Sequence, residues 1–392
     1  MHDVVVIGAG PAGSLTARLL AERGHRVVVL EEHESVGTPV HCTGLVGSEA
    51  FAEFDLPRSL ILAHSDGARF WGAAGESVPV RSERVNAVVI DRQGLDRVLA
   101  ERARAAGAEY RFGVRAEHVG VDADGVRVLT RSGEPSLNAR ACVLACGASY
   151  RFHRTLGLGL PDLFLQSAQV EAAFPEMPEI EVRFGRDVAP SGFAWMVPLR
   201  RNDVPYARIG LMSEDRSGER FRRFSDVLAR RAGVDPSAIP SPRLKMLPLG
   251  PVKQSYGDRV LAVGDAAGLV KPTTGGGIYY GLLSAAMAAD TLSDALRRNR
   301  LDARALRGYE EEWRRRLGQE IRVGLAFRRI AVKLSDQSID ELIELARVDG
   351  VKPLLERTAS FNWHRRTALA LLGHPAVRRI VFRTWARGAT SV

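Results

Sequence analysis

An α/β fold is predicted for this chain of 392 residues, with a parallel-sheet nucleotide-binding unit first and antiparallel β structure after it. Three observations predict it. A β-branched run, DVVVI at residues 3–7, opens directly into the glycine pattern GAGPAG and a helical segment. A second strand-like run, RVLAVGD at 259–265, leads into a glycine-rich stretch and then a helical pattern rich in Ala, Leu and Met. Between these, RFWGAAGESVPV (69–80) reads as a hairpin, while IEVRFG (180–185), GFAWMVPL (192–199) and YARIGLM (206–212) alternate like antiparallel strands.

The first unit reads as a Rossmann-like dinucleotide site. Its strand suits a buried parallel position, and Gly8, Gly10 and Gly13 fall in GxGxxG spacing. The first glycine makes the turn, the second lets the backbone approach a pyrophosphate, and the third permits close helix packing. The helix SLTARLLAERG ends at Gly24, a C-cap, and its N-terminus faces the phosphates. A second strand, RVVVLE, ends at Glu31, whose carboxylate accepts from a ribose hydroxyl. An acid at that position disfavours a 2′-phosphate, and so NADP, at this site.

A plain NAD dehydrogenase has no need of the second glycine-rich segment, whereas FAD does. Asp265, after Gly264, is placed to bind the ribityl hydroxyls. A helix starting near Gly276 turns its N-terminus to the flavin pyrimidine and favours the negative charge of the reduced ring. AVVIDRQGLDRVLAERARAAGA (87–108) sets Arg92 at the start of another amphipathic helix. ARACVLACGAS (139–149) is a buried strand carrying Cys142 and Cys146 as small core residues.

Composition narrows the classes. The length exceeds one usual core, so two or three sub-domains are expected. Hydrophobic content of 45% and charged content of 26% are those of an ordered globular protein. No apolar run approaches the roughly 18–20 residues of a membrane-spanning helix, and the N-terminus lacks the pattern of a secretory signal. Three cysteines without CxxC spacing give neither a disulfide framework nor a zinc site, so the cytoplasm is the expected location. The net charge of +9 is concentrated at the end, where residues 297–392 hold 21 Lys/Arg against 11 Asp/Glu. A basic segment on a near-neutral body favours an anionic surface as partner. The competing reading is a generally arginine-rich composition, since 50 of the 55 basic residues are Arg. No basic-aromatic stripe or known module points to nucleic acid.

Taken together, GxGxxG with a strand-end Glu, the Asp91-Arg92 pair, a strand ending in Ala-Cys-Gly and GDAAG with PTTGGGI resemble the flavoprotein hydroxylase-like superfamily over roughly residues 1–300. Within it, GTPVHCTGLVG (37–47) with SGFAWMVPL (191–199) resembles the geranylgeranyl reductase family, whose members saturate isoprenoid double bonds using reduced FAD. The resemblance implies a Rossmann-like FAD-binding domain of the PHBH/glutathione-reductase type over 1–68, 87–160 and 245–298. It implies a β-rich substrate domain over 69–86 and 161–244, and a helical, basic C-terminal region over 299–392. It also implies that the cysteine loop Cys42, Thr43, Gly44 and Leu45 lies beside the flavin, and that Arg92, Gly264 and Asp265 bind the cofactor. Gly276, Gly277 and Ile278 then form a flavin-contacting loop, Ala12 and Glu31 belong to the adenine half, and Ala116 makes a backbone contact to adenine.

Phe193 and Trp195, two apart, share one strand face, with Pro198 ending regular pairing. That face is either an aromatic wall for an apolar chain or a sheet packed on its own core. The resemblance favours the wall and makes Phe193, Trp195 and Pro198 substrate residues. The Arg200-Arg201 pair is a candidate for meeting a pyrophosphate or lipid head group. An isolated trisubstituted alkene is not electrophilic, so hydride delivery needs protonation of the other carbon, close positioning and exclusion of water. Candidate proton donors are Cys42, His41, Tyr279, Tyr280 or a bound water; Cys42 is alternatively a small polarizable residue that fits where the loop passes the ring. No HExxH, Cys/His ligand cluster or GxSxG points to a metal or a covalent nucleophile.

In AVRRIVFRTWARG (376–388), Val377, Ile380, Val381 and Trp385 gather on one side and Arg379, Arg383 and Arg387 on the other. This is either a segment lying on anionic lipid or a terminal helix packed on the domain. The expected protein is an FAD-dependent reductase of a prenyl lipid or prenyl diphosphate, with NAD(P)H or ferredoxin as reductant. It is expected in the cytoplasm, peripheral on the inner face of the cell membrane. One rival is a flavin monooxygenase or halogenase of the same fold. FAWMVPL resembles the halogenase WxWxIP pattern but lacks its first Trp, and no lysine precedes Lys245. The other rival is a non-catalytic flavin-binding membrane protein.

Overall fold

A computed structural model describes residues 1–82, 87–131, 136–348 and 350–389, with side chains as far as Arg383. The side chains of Trp385 and Arg387, and residues 83–86 of the expected substrate domain, lie outside the described residues. The chain divides into two compact units, one of residues 1–40, 92–163 and 248–321, the other of residues 41–91, 164–247 and 322–392. This division differs from the expected one at two places. The cysteine loop falls in the second unit, because Leu45–Gly47 pairs with Ala87–Ile90. Most of the C-terminal helices fall there too, rather than forming a third part.

The first unit is built on an eight-stranded sheet. Its main path runs Tyr256–Gly257, Val260–Ala262, Leu137–Leu144, His2–Ile7, Val27–Leu30, Glu109–Arg111, with Val126–Thr130 added on Leu137–Leu144 and Ala116–Val121 on Val126–Thr130. From Val260–Ala262 to Glu109–Arg111 the pairings are parallel. Val4, Val5, Val6, Val28, Val29 and Val143 are fully buried, as β-branched residues are when both faces of a parallel sheet are covered. The helix Pro11–Glu22 packs against both Arg92–Ala105 and Ile278–Arg297. Tyr309 and Trp313, on the helix Ala303–Ala331, are buried with their polar tips satisfied. Tyr309 OH donates to Ala262 O at 2.8 Å and Trp313 Nε1 to Ser255 Oγ at 2.9 Å.

The second unit carries a seven-stranded sheet in the order Arg243–Pro248, Phe164–Ala173, Val204–Ser213, Phe193–Arg201, Ile180–Arg183, Gly67–Trp71, Ser77–Arg81. The last two strands are the hairpin read from the sequence. Across the sheet, Trp195 lies opposite Gly210 and Gly210 opposite Gln169; Val197, Arg208 and Glu171 align in the same way. One face buries Ala168, Ala194, Met196, Ile209 and Leu211 against Phe221, Phe224 and Leu228 of the helix Ser217–Arg231. Side chains alternate along a strand, so Phe193 and Trp195 stand on the opposite face.

Pro198 does not end the pairing: it lies opposite Ala207 within a strand that continues to Arg201. The register with Ile180–Arg183 runs only from Ala194 to Met196, so on that side no neighbour asks for the missing N–H. The terminal helix Pro375–Ala389 turns Val377 inward, onto a cluster of Val78, Val80, Ile343, Ala346 and Val351, and Ile380 is buried as well. Its apolar stripe is therefore used inside the protein. Among the described residues no helix is long and apolar enough to cross a membrane.

Candidate functional site

In the first unit the glycine turn is shaped by three different demands. Gly8 has φ +105°, and a side chain there would collide with Ala145 O. A Cβ on Gly13 would collide with Gly8 O, so the helix can approach the turn only without one. Over Gly10 the situation is reversed, because nothing lies within 4 Å of where its Cβ would be. That glycine keeps a space open. It also caps the helix Pro11–Glu22 without a side-chain acceptor, leaving first-turn N–H groups available to an anion. Glu31 Oε2 accepts from Ala9 N at 2.9 Å and Oε1 from His33 N at 3.1 Å, which holds the strand-end carboxylate at this turn.

The second glycine segment meets the first. Gly264 has φ +59°, and a Cβ on it would lie 3.1 Å from Ala12 Cβ and 3.8 Å from Gly281 Cα. Gly277 caps the helix Ile278–Arg297, and a Cβ there would stand 2.6 Å from Asp265 Oδ1, so the absence of a side chain lets the carboxylate sit at the helix start. A Cβ on Gly276 would come 2.7 Å from Lys271 Cε. Two residues that the sequence reading missed clamp this turn: Tyr150 OH donates to Asp265 O, and His153 Nε2 bonds Ala266 O, both at 2.6 Å. Burial raises the tyrosine's pKa far above its ordinary value and lowers the histidine's, so both stay neutral hydrogen-bond donors. Their signal was SYRFH in the loop leaving a buried strand, a cluster with no spacing rule attached.

Other predicted residues are placed as follows. Arg92 heads its helix and pairs with Asp96 at 2.5 Å. Ala116 follows the strand Glu109–Arg111 and begins the next, Ala116–Val121, and its carbonyl accepts from Arg151 Nη1 at 3.1 Å. Cys142 lies in its strand, but Cys146 falls beyond the strand's end and donates to Ser149 O at 3.2 Å. Burial pushes the Cys146 thiol up to about 12. Tyr279 and Tyr280 are both buried in the first turn of their helix. An open cradle over Gly10, two glycine-capped helix starts and a carboxylate at each turn fit a dinucleotide with a second polar half, as FAD has.

In the second unit the cysteine loop docks on the aromatic face of the seven-stranded sheet. Thr43 Oγ1 donates to Gln169 Oε1 at 2.7 Å, and Arg208 Nη1 donates to Thr43 O at 2.6 Å. Gly44 N donates to Cys42 Sγ at 3.3 Å. On the same face the Phe193 and Trp195 rings lie 5.7 Å apart, and Phe184 meets Phe193 edge-on at 6.1 Å. Gly210 makes room for the indole, since a Cβ there would be 2.6 Å from Trp195 Cζ2. His41 Nε2 bonds Arg243 O at 3.0 Å; burial, then Lys245, lowers its pKa and keeps the ring neutral. The Arg200-Arg201 pair is already engaged: Arg200 Nη1 pairs with Glu176 at 2.9 Å, and Arg201 holds Glu171 and stands 3.9 Å from Asp91. It is not a spare anion site.

The parallel sheet, the two glycine-capped helices and the strand-end acid define an FAD-dependent oxidoreductase with a PHBH-type fold. The family described as lycopene cyclase protein matches residues 3–334. A digeranylgeranylglycerophospholipid reductase 2 of Methanothermobacter thermautotrophicus is 30% identical over 87% of this chain and 91% of its own. A digeranylgeranylglycerophospholipid reductase of Methanocaldococcus jannaschii is 28% identical over 88% and 90%. The chain belongs to this family, together with the geranylgeranyl reductases it resembles. In fold it is similar to a geranylgeranyl bacteriochlorophyll reductase-like protein of Thermoplasma acidophilum, at a TM-score of 0.82 and 22% identity over 98% of this chain and 99% of that one. The halogenase PltM shares the fold at a TM-score of 0.67 and 18% identity, covering 100% and 93%.

Proposed function

We propose that the protein saturates isoprenoid double bonds in a prenyl lipid, as an FAD-dependent reductase of membrane-lipid metabolism. The observation that carries the proposal is the docking of the cysteine loop on the sheet face that bears Phe193 and Trp195. The names of the relatives support it, and so does an apolar wall better suited to a prenyl chain than to a polar aromatic acid. Gly8, Gly10, Ala12, Gly13 and Glu31 would hold the AMP half of the cofactor, with Ala116 contributing a backbone contact to adenine. Arg92, Gly264, Asp265 and Gly276–Ile278 would hold the flavin half, and the loop Cys42–Leu45 would face the ring. Bound and reduced, FAD supplies a hydride.

Phe193 and Trp195 offer the surface along which the prenyl chain lies, out of water. Pro198, opposite Ala207 and in step with Ala194 and Met196, belongs to the other face of the sheet and is not a substrate residue. Cys42 is the proposed proton source. After its Sγ gives up the proton, the sulfur keeps the Gly44 N–H as a hydrogen-bond donor. Tyr279 is the second candidate. NAD(P)H or ferredoxin would re-reduce the protein, and whichever bleaches the oxidised flavin absorbance under anaerobic conditions is the donor. Peripheral association with the inner face of the cell membrane would use the exposed Arg378, Arg379 and Phe382.

Dithionite-reduced protein incubated without oxygen with a digeranylgeranylglycerophospholipid should add two hydrogens per double bond, read by mass spectrometry. Oxygen-dependent gain of one oxygen would replace this reading with a monooxygenase. Neither product would leave a non-catalytic flavin protein.

A further inference from the structure

We infer that Arg208 is the positioning residue of the cysteine loop, acting on Cys42 through the peptide group between Thr43 and Gly44. This rests on the reductase reading only for its kinetic consequence. Arg208 is 1% exposed and lies opposite Val197 in the central strand pair, on the same face as Trp195. Its Nε donates to Glu171 Oε2 at 2.8 Å, while Nη1 donates both to Thr43 O at 2.6 Å and to Ile90 O at 3.0 Å. A buried guanidinium that meets two backbone carbonyls through Nη1 while Nε holds Glu171 fixes the course of the chain at those points, and a lysine ammonium has no second, rigidly linked nitrogen with which to do both.

One of those carbonyls belongs to a particular peptide. Thr43 C=O and the Gly44 N–H are the two ends of one planar amide. The first is gripped by Arg208, and the second donates to Cys42 Sγ. Holding the oxygen therefore sets the orientation of the N–H that the sulfur accepts. A charged donor on the carbonyl also polarises the amide, which strengthens the N–H at its other end. Gly44 is matched to this arrangement. It has φ +65°, and a side chain there would collide with Arg208 Nη1 and lie 2.9 Å from Ile90 O. The guanidinium occupies the space a side chain would take. Gly44 O in turn accepts from Ile90 N at 2.8 Å, so the same arginine closes the end of the pairing between the loop strand and Ala87–Ile90.

The test uses full-length protein. In R208K, hydrogen exchange should quicken about tenfold or more in peptides covering residues 42–47 and 87–90, with the helix Ser217–Arg231 and the first-unit sheet unchanged. The R208Q/E171Q double variant, which leaves no unpaired buried charge between the two, should show the same local change if R208K folds poorly. In the reductase assay, R208K should lower kcat about tenfold or more with KM little altered. In a Cys42→Ser background the same change should cost less than about threefold, because the arginine acts through the sulfur. Exchange in 42–47 that stays at the wild-type rate in both variants, or losses that multiply independently of Cys42, would overturn the inference. A wild-type protein without reductase activity would sink the functional reading while leaving the exchange result to decide the role of Arg208.

Discussion

Gly10 and Gly13 carry the same side chain for opposite reasons, and the difference is testable. A methyl on Gly10 meets no protein atom within 4 Å, so Gly10→Ala should unfold at the wild-type temperature yet bind FAD at least about tenfold more weakly. Gly13→Ala drives its methyl into Gly8 O and should lose stability first, by about 1–3 kcal/mol in chemical denaturation. Gly210→Ala should behave like Gly13→Ala, through the indole of Trp195, and should raise KM for the prenyl substrate. Cys42→Ser with FAD retained should lose at least about tenfold in kcat; a smaller loss would return the thiol to a packing role. The glycines of both motifs were legible from spacing alone, since each answers a local steric demand. Gly210, Arg208 and Gln169 were not. Their partners lie one or two strands away, or in a loop some 125–165 residues distant in sequence, and no short-range pattern announces such a pairing.

Among the elements, the C-terminal helix separates two readings that the sequence left open. Its periodicity was plain, but a stripe of Val377, Ile380 and Val381 looks the same facing lipid or facing a core. Val377 is buried on the second unit's own helices and hairpin, and Ile380 is buried too. Removing residues 375–392 should therefore destabilise the protein by about 3–6 kcal/mol, at the usual 1.5–3 kcal/mol per fully buried aliphatic side chain, measured by urea unfolding. The triple change R378E, R379E, F382S leaves that core intact and should reduce co-sedimentation with anionic liposomes. Equal binding by this variant and the wild type would remove the membrane proposal. The strand with Phe193 teaches a related lesson. Alternation showed which residues share a face, but a proline within it signalled an end that the register does not impose.

Across the whole molecule, one buried and two half-buried histidines set a pH limit. Burial lowers the pKa of His25, His41 and His153 below the ordinary 6.5. The unfolded chain then takes up protons that the folded chain refuses, so stability is full above pH 6.5 and falls as pH drops below it. His153 should contribute most, being fully buried with Nδ1 lacking a hydrogen-bond partner among the described residues. The melting temperature should fall by a few degrees between pH 7 and 5, and His153→Gln should flatten that slope; a steeper slope in the variant would contradict the assignment. The sequence by itself determined the nucleotide-binding unit, the cofactor class and the family, because strand, glycine turn, helix and acid are consecutive and each obeys a local rule of backbone geometry. Only the tertiary structure decided that the cysteine loop is fastened by a buried arginine to the aromatic face of a sheet. It also decided that the terminal helix spends its apolar side inward. Both depend on which distant segments share a surface, and that is fixed by packing and register rather than by neighbours in the chain.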